Sequence, residues 1–270
     1  MIPAAFEYDL ATSVEHAIEL LGRGDDAKLI AGGHSLIPAM RLRIARPARL
    51  IDIGRLENLR YVREQGDWLA IGALTRHAEV LRDPLVGRHC AVLASATAVV
   101  ADPQVRNRGP IGGAAAHGHS ASDQVTVLTA LDAEFVAQGP AGERTIAADE
   151  FFRGWFTTAL SPQELLTEIR VPKTARGVYL KASRLTHDWA TVGVAAVRVD
   201  GRVQVALTNM AATPLRARGV EAALVDGSSR PEAAQRASED ASPASDQAGS
   251  AEYRAHLARV LTRRALEQLG

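Results

Sequence analysis

Hydrophobic and polar positions recur along the chain with two different periods, and the change of period marks its elements. Near the N-terminus Val14, Ala17, Ile18 and Leu21 fall at helical spacing behind Thr12 and Glu15, a pair with capping-box spacing. This predicts a helix from about Ser13 to Leu21, ended near Gly22. Lys28–Ala31 and Leu50–Ile53 are short apolar runs that predict strands, and Gly32–Gly33 supplies a turn after the first of them. Trp68–Leu74 predicts a strand leading to a helix from about Arg76. Val86–Val100 reads as one long helix of small residues, Val125–Leu131 as a buried helix and Ala133–Ala137 as a strand. Phe151, Phe152, Trp155 and Phe156 have helix-like spacing, and core packing is the plain expectation for such a stripe.

The last third changes character. Gly177–Ser183, Thr191–Val199 and Arg202–Met210 predict three strands, with Asp200–Gly201 as a hairpin turn. Alanine-rich helices follow over about Pro214–Leu224 and Glu252–Leu269, with a polar loop over Ser238–Ser250. The pattern is α+β, without a solenoid repeat, and its shifts suggest three parts: 1–55, 56–175 and 176–270.

Composition narrows the partners. The 270 residues are 47% hydrophobic and 23% charged, with 31 Lys and Arg against 31 Asp and Glu. That is an ordinary globular balance with no basic stripe, which argues against nucleic acid. Cys90 is the only cysteine, so the chain cannot ligate an iron–sulfur cluster by itself and has no disulfide framework. Such usage fits a reducing, cytoplasmic location. The N-terminal sequence lacks a basic segment followed by an apolar core, and no run of 18 apolar residues occurs. Neither a secretion signal nor a membrane span is expected.

Two glycine-rich stretches carry candidate chemistry. The first, Ala31-Gly32-Gly33-His34-Ser35-Leu36, follows an apolar strand. The second, Ile111-Gly112-Gly113-Ala114-Ala115-Ala116, follows Gln104-Val105-Arg106-Asn107-Arg108-Gly109-Pro110. Consecutive glycines let backbone amides approach an anion, so two such loops suit the two phosphates of a dinucleotide. Either alone is more often just a turn. No Gly-x-x-x-x-Gly-Lys-Ser/Thr stretch exists, so a P-loop is unsupported. Gly22-Arg23-Gly24-Asp25-Asp26-Ala27 fits the loose dinucleotide fingerprint in the wrong order, after a helix and before a strand.

The full strings are more specific. AGGHSLIPAMRLRIARPARLIDI and DPQVRNRGPIGGAAAHGHSASD resemble the first and second FAD loops of the medium, flavin-binding subunit of the carbon monoxide dehydrogenase and xanthine dehydrogenase group. ERTIAADEFFRGWFTTALSPQELLTEIRVP resembles the segment closing that family's FAD domain. YLKASRLTHDWATVGVAAV and VALTNMAATPLRA are similar to its C-terminal domain, most of all in the carbon monoxide dehydrogenase branch. The resemblance runs in order over essentially the whole chain. It implies a two-lobed FAD-binding domain of the PCMH type, followed by a small C-terminal α+β domain with a three-stranded antiparallel sheet and helices. It also implies an FAD-carrying electron-transfer subunit of a molybdenum hydroxylase or dehydrogenase. Its partners would be a molybdenum-cofactor large subunit and a [2Fe–2S] small subunit, assembled as a dimer of heterotrimers. Electrons would arrive from the clusters and leave for an external acceptor. The substrate would be chosen by the molybdenum subunit; the branch resemblance points first to carbon monoxide.

Carried over residue by residue, the resemblance gives Gly32, Gly33, His34, Ser35 and Leu36 to one pyrophosphate loop, and Ile111, Gly112, Gly113, Ala114 and Ala115 to the other. Asp123 matches an acidic residue near the adenosine half, Leu165 an apolar contact, and Lys181 a residue near the isoalloxazine, where a cation would stabilise reduced flavin. No catalytic residue and no metal ligand is assigned. The sequence departs from the family pattern at Pro110, Ala114 and His119-Ser120. At roughly 0.5–1.5 kcal/mol for each lost hydrogen bond, those changes weaken FAD binding by about one to three powers of ten unless backbone contacts compensate.

Plainer readings stand beside these. His34 is an ordinary loop residue with its backbone at the phosphate, a covalent flavin anchor as in some related oxidases, or structural. His117 and His119 lie two apart without further ligands at metal spacing, so packing near the cofactor is the better account. His187 and Asp188 form a turn or cover the flavin edge. Arg106 and Arg108 neutralise phosphate, dock the iron–sulfur subunit or are simply solvated. Two other functions remain in view: a stand-alone flavin oxidase, and a structural subunit that has lost FAD.

Overall fold

A computed structural model describes residues 2–24, 26–173 and 176–270. It opens with a small parallel sheet. β1 (Glu7–Leu10), β2 (Ala27–Ile30) and β3 (Arg49–Asp52) lie in the order β1-β3-β2, connected through α1 (Val14–Gly22) and α2 (Leu36–Arg41). Ser13, one residue later than the expected capping pair, caps α1 by accepting from the His16 N–H at 3.1 Å. Val14, Ala17, Leu20 and Leu21 then face Ile51, Ile53, Leu56 and Leu59 in a compact core of their own. The segment between Ile53 and Leu59 leads into the second sheet.

That sheet is antiparallel and built from β4 (Val62–Gln65), β5 (Trp68–Gly72), β6 (Glu134–Gly139), β7 (Gly142–Ala147) and β10 (Leu165–Pro172), in the order β4-β5-β10-β6-β7. Between β5 and β6 run α3 (His77–Arg82), α4 (Pro84–His89), α5 (Ala91–Ala98), α6 (Pro103–Arg108), α7 (Ile111–His117) and α8 (Asp123–Ala130). The long helix expected over Val86–Val100 is broken. Asp83 caps α4 with Pro84 in its first turn, and Cys90, at φ −150° and ψ 54°, separates α4 from α5. Arg88 and His89 close the last turn of α4, but no glycine or proline marks the joint itself, so the apolar and small residues on either side read as one helix.

The aromatic stripe also divides. α9 (Ala148–Phe151) is followed by the hairpin strands β8 (Phe152–Gly154) and β9 (Thr157–Thr158). Phe151 and Phe152 pack with Phe135 in the core, but Trp155 and Phe156 are 47% and 56% exposed. The expectation that the whole stripe packs in the core is corrected: a short helix and the first hairpin strand keep Phe151 and Phe152 inside, and the hairpin turns Trp155 and Phe156 outward.

The C-terminal part holds the three expected strands as β11 (Arg176–Ala182), β12 (Val192–Val199) and β13 (Arg202–Thr208), and the two-residue β14 (Leu215–Arg216) adds a fourth at the edge. β14 takes the first residues of the helix expected from Pro214, so α10 begins later (Arg218–Val225), followed by α11 (Arg230–Gln235) and α12 (Ala251–Leu269). Asp200 (φ 47°) and Gly201 (φ 78°) make the predicted hairpin turn with the left-handed residues it needs. The division expected near residue 175 lies at residues 174–175, outside the described residues.

β12 explains how the C-terminal part is attached. Val192, Val194 and Ala196 point into a core with α10, α11 and α12, whereas Ala195 and Val197 join the core of the antiparallel sheet and α5 and α8. A strand buried on both faces must be apolar throughout, as Val-Gly-Val-Ala-Ala-Val is.

Candidate functional site

The turn after β2 and the junction between α6 and α7 meet. A Cβ placed on Gly32 would lie 2.7 Å from the Gly109 Cα, 2.9 Å from the Arg108 carbonyl oxygen and 2.9 Å from Pro110 Cδ. Only glycine permits that approach. Gly33 turns the chain at φ 75°, a left-handed conformation. Among the described residues, the amides of Gly32, Gly33, His34 and Ser35 donate to no backbone carbonyl, and neither does that of Gly113. Unpaired amides on two abutting segments form a cradle for an anionic group.

The second stretch is a helix start rather than a loop. Pro110 precedes α7, and the Ile111 and Gly112 amides donate to Thr75 and Ala73 carbonyls at 2.9 Å each. A Cβ on Gly112 would stand 2.5 Å from that of Ala73, so this glycine serves close helix–strand packing. Ile111, Gly112 and Ala115 are buried, while Gly113 is exposed and Ala114 half-buried. Of the five residues expected to line this loop, only Gly113 and Ala114 reach solvent. Pro110 is buried between the two segments, next to Gly32 on one side and Gly113 on the other.

His77 stands behind the cradle. Its N–H donates to the Gly109 carbonyl at 2.9 Å, and its ring would be 3.0 Å from a Gly109 Cβ. Burial, helped by the charge of Arg106, pushes the imidazole down to about 4. Arg106 donates to the Val100 and Ala101 carbonyls at 2.6 and 3.1 Å, which makes it a brace of the α5–α6 connection.

Asp123 and Lys181 are brought together. Lys181 Nζ lies 2.9 Å from Asp123 Oδ2 and donates to the Val99 carbonyl at 3.0 Å; the two side chains are 7% and 4% exposed. Tyr179, absent from the sequence-derived set, donates its hydroxyl to Asp123 Oδ1 at 2.6 Å. Burial raises the Asp123 carboxyl, against the opposing pull of Lys181 and the Tyr179 hydrogen bond. The expected split, Asp123 at the adenosine half and Lys181 at the isoalloxazine, is corrected: residues in one ion pair cannot serve opposite ends of an extended dinucleotide. Leu165 is corrected as well. It is 1% exposed and packs with α1 and β3, leaving no surface for a ligand.

At the far end of α7 a group of rings is exposed. His119 stacks on Trp189 with centroids 4.5 Å apart and planes at 13°, and Phe156 lies edge-on to His119 at 4.8 Å. His117 meets Phe156 at 5.0 Å. Trp189 is 53% exposed. His119 Nδ1 accepts from the Ala121 N–H at 3.0 Å, and burial lowers the ring to about 4, so it stays neutral. Sequence alone gave Trp189 no role, because nothing local tells that residues 119, 156 and 189 converge. A separate cavity of about 370 Å³ between α1 and the outer face of β10 shares no lining residue with the glycine segments.

Comparison with known proteins shows the family of the chain. Residues 4–174 match the FAD binding domain in molybdopterin dehydrogenase, and residues 177–269 match the CO dehydrogenase flavoprotein C-terminal domain. The chain is 46% identical to the carbon monoxide dehydrogenase medium chain of Hydrogenophaga pseudoflava, over 98% of this chain and 97% of that one. It is 38% identical to subunit alpha of the 6-hydroxypseudooxynicotine dehydrogenase complex of Paenarthrobacter nicotinovorans, over 98% and 95%. The solved structure of carbon monoxide dehydrogenase from H. pseudoflava lacking the Mo-pyranopterin moiety superimposes with a TM-score of 0.96 at 45% identity, covering 100% of this chain and 98% of that one.

Proposed function

Because this chain belongs to the FAD-binding medium-subunit family of the carbon monoxide dehydrogenase-type molybdenum hydroxylases, we propose that it carries electrons within such a complex. It takes them from [2Fe–2S] clusters of a small partner subunit and passes them to an external acceptor. A large partner holds the molybdenum cofactor and oxidises the substrate, and the assembly is a dimer of these heterotrimers. Carbon monoxide is the first substrate to test, since the 46% relative is named for it.

The observation that carries the reading is the contact of Gly32 with Gly109 and Pro110. It brings the segment of residues 32–35 against Pro110, which also borders Gly113; in this reading the amides of both segments would bind the pyrophosphate of FAD. FAD supplies the redox chemistry when bound; the chain supplies amides, ring contacts and exclusion of water. From Ile111 to His117 the axis of α7 spans about 9 Å, so the exposed rings lie one flavin arm from the cradle and suit a planar ring system. Asp123 and Lys181 act at a single place, as a buried pair.

Gly113→Ala tests the assignment. A methyl here meets only Pro110, at 3.2 and 3.4 Å, and replacing a helical glycine adds about 0.5–1 kcal/mol to helix stability. The Pro110 ring must shift by a few tenths of an ångström to admit the methyl, which offsets that gain, so the flavin-free variant is expected to melt close to the wild-type temperature. Its FAD dissociation constant, measured by flavin fluorescence titration, should rise tenfold or more because the methyl occupies the phosphate approach. Unchanged affinity would remove Gly113 from the site. Co-purification of the full chain, with metal analysis of what accompanies it, tests the partners.

A further inference from the structure

His119 and Trp189 belong to two irregular segments that are far apart in sequence, and one residue ties both. Asn209 follows β13 and adopts φ 61°, a left-handed conformation that asparagine tolerates better than most side chains. Its backbone N–H donates to the Ser120 carbonyl at 2.9 Å, next to His119. Its side-chain Nδ2 donates to the Ala190 carbonyl at 2.8 Å, next to Trp189. The preceding residue, Thr208, is fully buried and bonded to Thr126 Oγ1 at 2.8 Å, so the donor stands on a fixed base.

Neighbouring contacts act on one segment or the other. The Ala121 amide orients His119 alone, and Arg254, itself buried, donates to the Thr191 carbonyl behind Trp189. Arg184 secures the base of the Trp189 loop by donating to the Gln247 carbonyl at 2.7 Å. Asn209 bonds to both segments. Its left-handed backbone is what aims the N–H and the side-chain amide at different strands of chain.

We propose that Asn209 is a positioning residue of the flavin site: it sets His119 against Trp189, and the stacked pair forms a wall for the flavin ring system. The inference rests on the reading that the exposed rings border the flavin. Two variants separate the side-chain bond from the backbone. Asn209→Gly keeps the left-handed backbone and the N–H to Ser120 but removes the bond to Ala190. Asn209→Asp keeps the shape and offers an acceptor where a donor is needed.

The test uses the full chain. Near-ultraviolet circular dichroism, taken with and without Trp189→Phe in each background, isolates the Trp189 signal. In both Asn209 variants that signal should fall to less than half its wild-type amplitude, with FAD stoichiometry retained. The visible circular dichroism of bound FAD should change in the same variants. An unchanged Trp189 signal in both overturns the positioning role. A reduced Trp189 signal with unaltered flavin dichroism overturns the wall, since the pair would then be set by Asn209 without touching the flavin. A wild-type chain that binds no FAD overturns the functional reading and the wall with it, while the Trp189 signal still reports whether Asn209 orders the stack.

Discussion

His77 shows how one buried side chain makes this molecule sensitive to acid. Its ring titrates near 4 in the folded chain, against an ordinary 6.5. Between those values the unfolded chain binds a proton that the folded chain does not, so stability falls as pH falls through that window. The largest contribution of His77 is about 3 kcal/mol, reached at or below pH 4. His119, lowered to a similar value, titrates over the same range. Urea unfolding across pH 7 to 4 should show a slope that His77→Gln flattens by up to one proton; an identical slope would show that His77 is not the group responsible. None of this was legible in the sequence. A histidine after Thr75-Arg76 reads as the start of a helix, and only the contact with Gly109 reveals what it supports.

Elements show where local pattern suffices and where it fails. α1, the β12–β13 hairpin and α12 were legible, because a cap, an Asp-Gly turn or a long amphipathic repeat announces each of them within its own residues. The second glycine stretch was legible as special but not as a helix. Its glycines signal a close approach, and the partner approached, Ala73, lies in a different part of the sequence. The same holds for Gly32, whose identity is dictated by Gly109 and Pro110. Gly32→Ala places a methyl within 3 Å of backbone atoms on the α6–α7 junction, where no side chain can swing aside. The two elements must separate. We expect loss of melting temperature and of FAD binding together, in contrast to Gly113→Ala, where binding alone suffers. Thermal melts of the flavin-free variants distinguish the two, and equal melting temperatures would show that the contact tolerates more than its geometry suggests.

At the scale of the whole molecule, the C-terminal sheet is not an appendage. β12 completes one core with each face, and the Asp123–Lys181–Tyr179 group crosses between α8 and β11 at the same seam. A buried ion pair adds little compared with apolar packing, but breaking one leaves an uncompensated charge. Lys181→Met should therefore cost about 3–5 kcal/mol of unfolding free energy in the flavin-free chain, with Asp123 left buried beside Tyr179. Adding Asp123→Asn removes the stranded charge and should recover most of that loss, whereas additive losses would show that the two side chains act apart. A Lys181 that serves only the flavin predicts something else: unchanged stability without cofactor and an altered flavin potential with it. Urea unfolding of the single and double variants decides between these roles. The geometry favours the first, since both Lys181 contacts, Asp123 and the Val99 carbonyl, belong to the FAD-binding part while Lys181 itself belongs to the sheet beyond it.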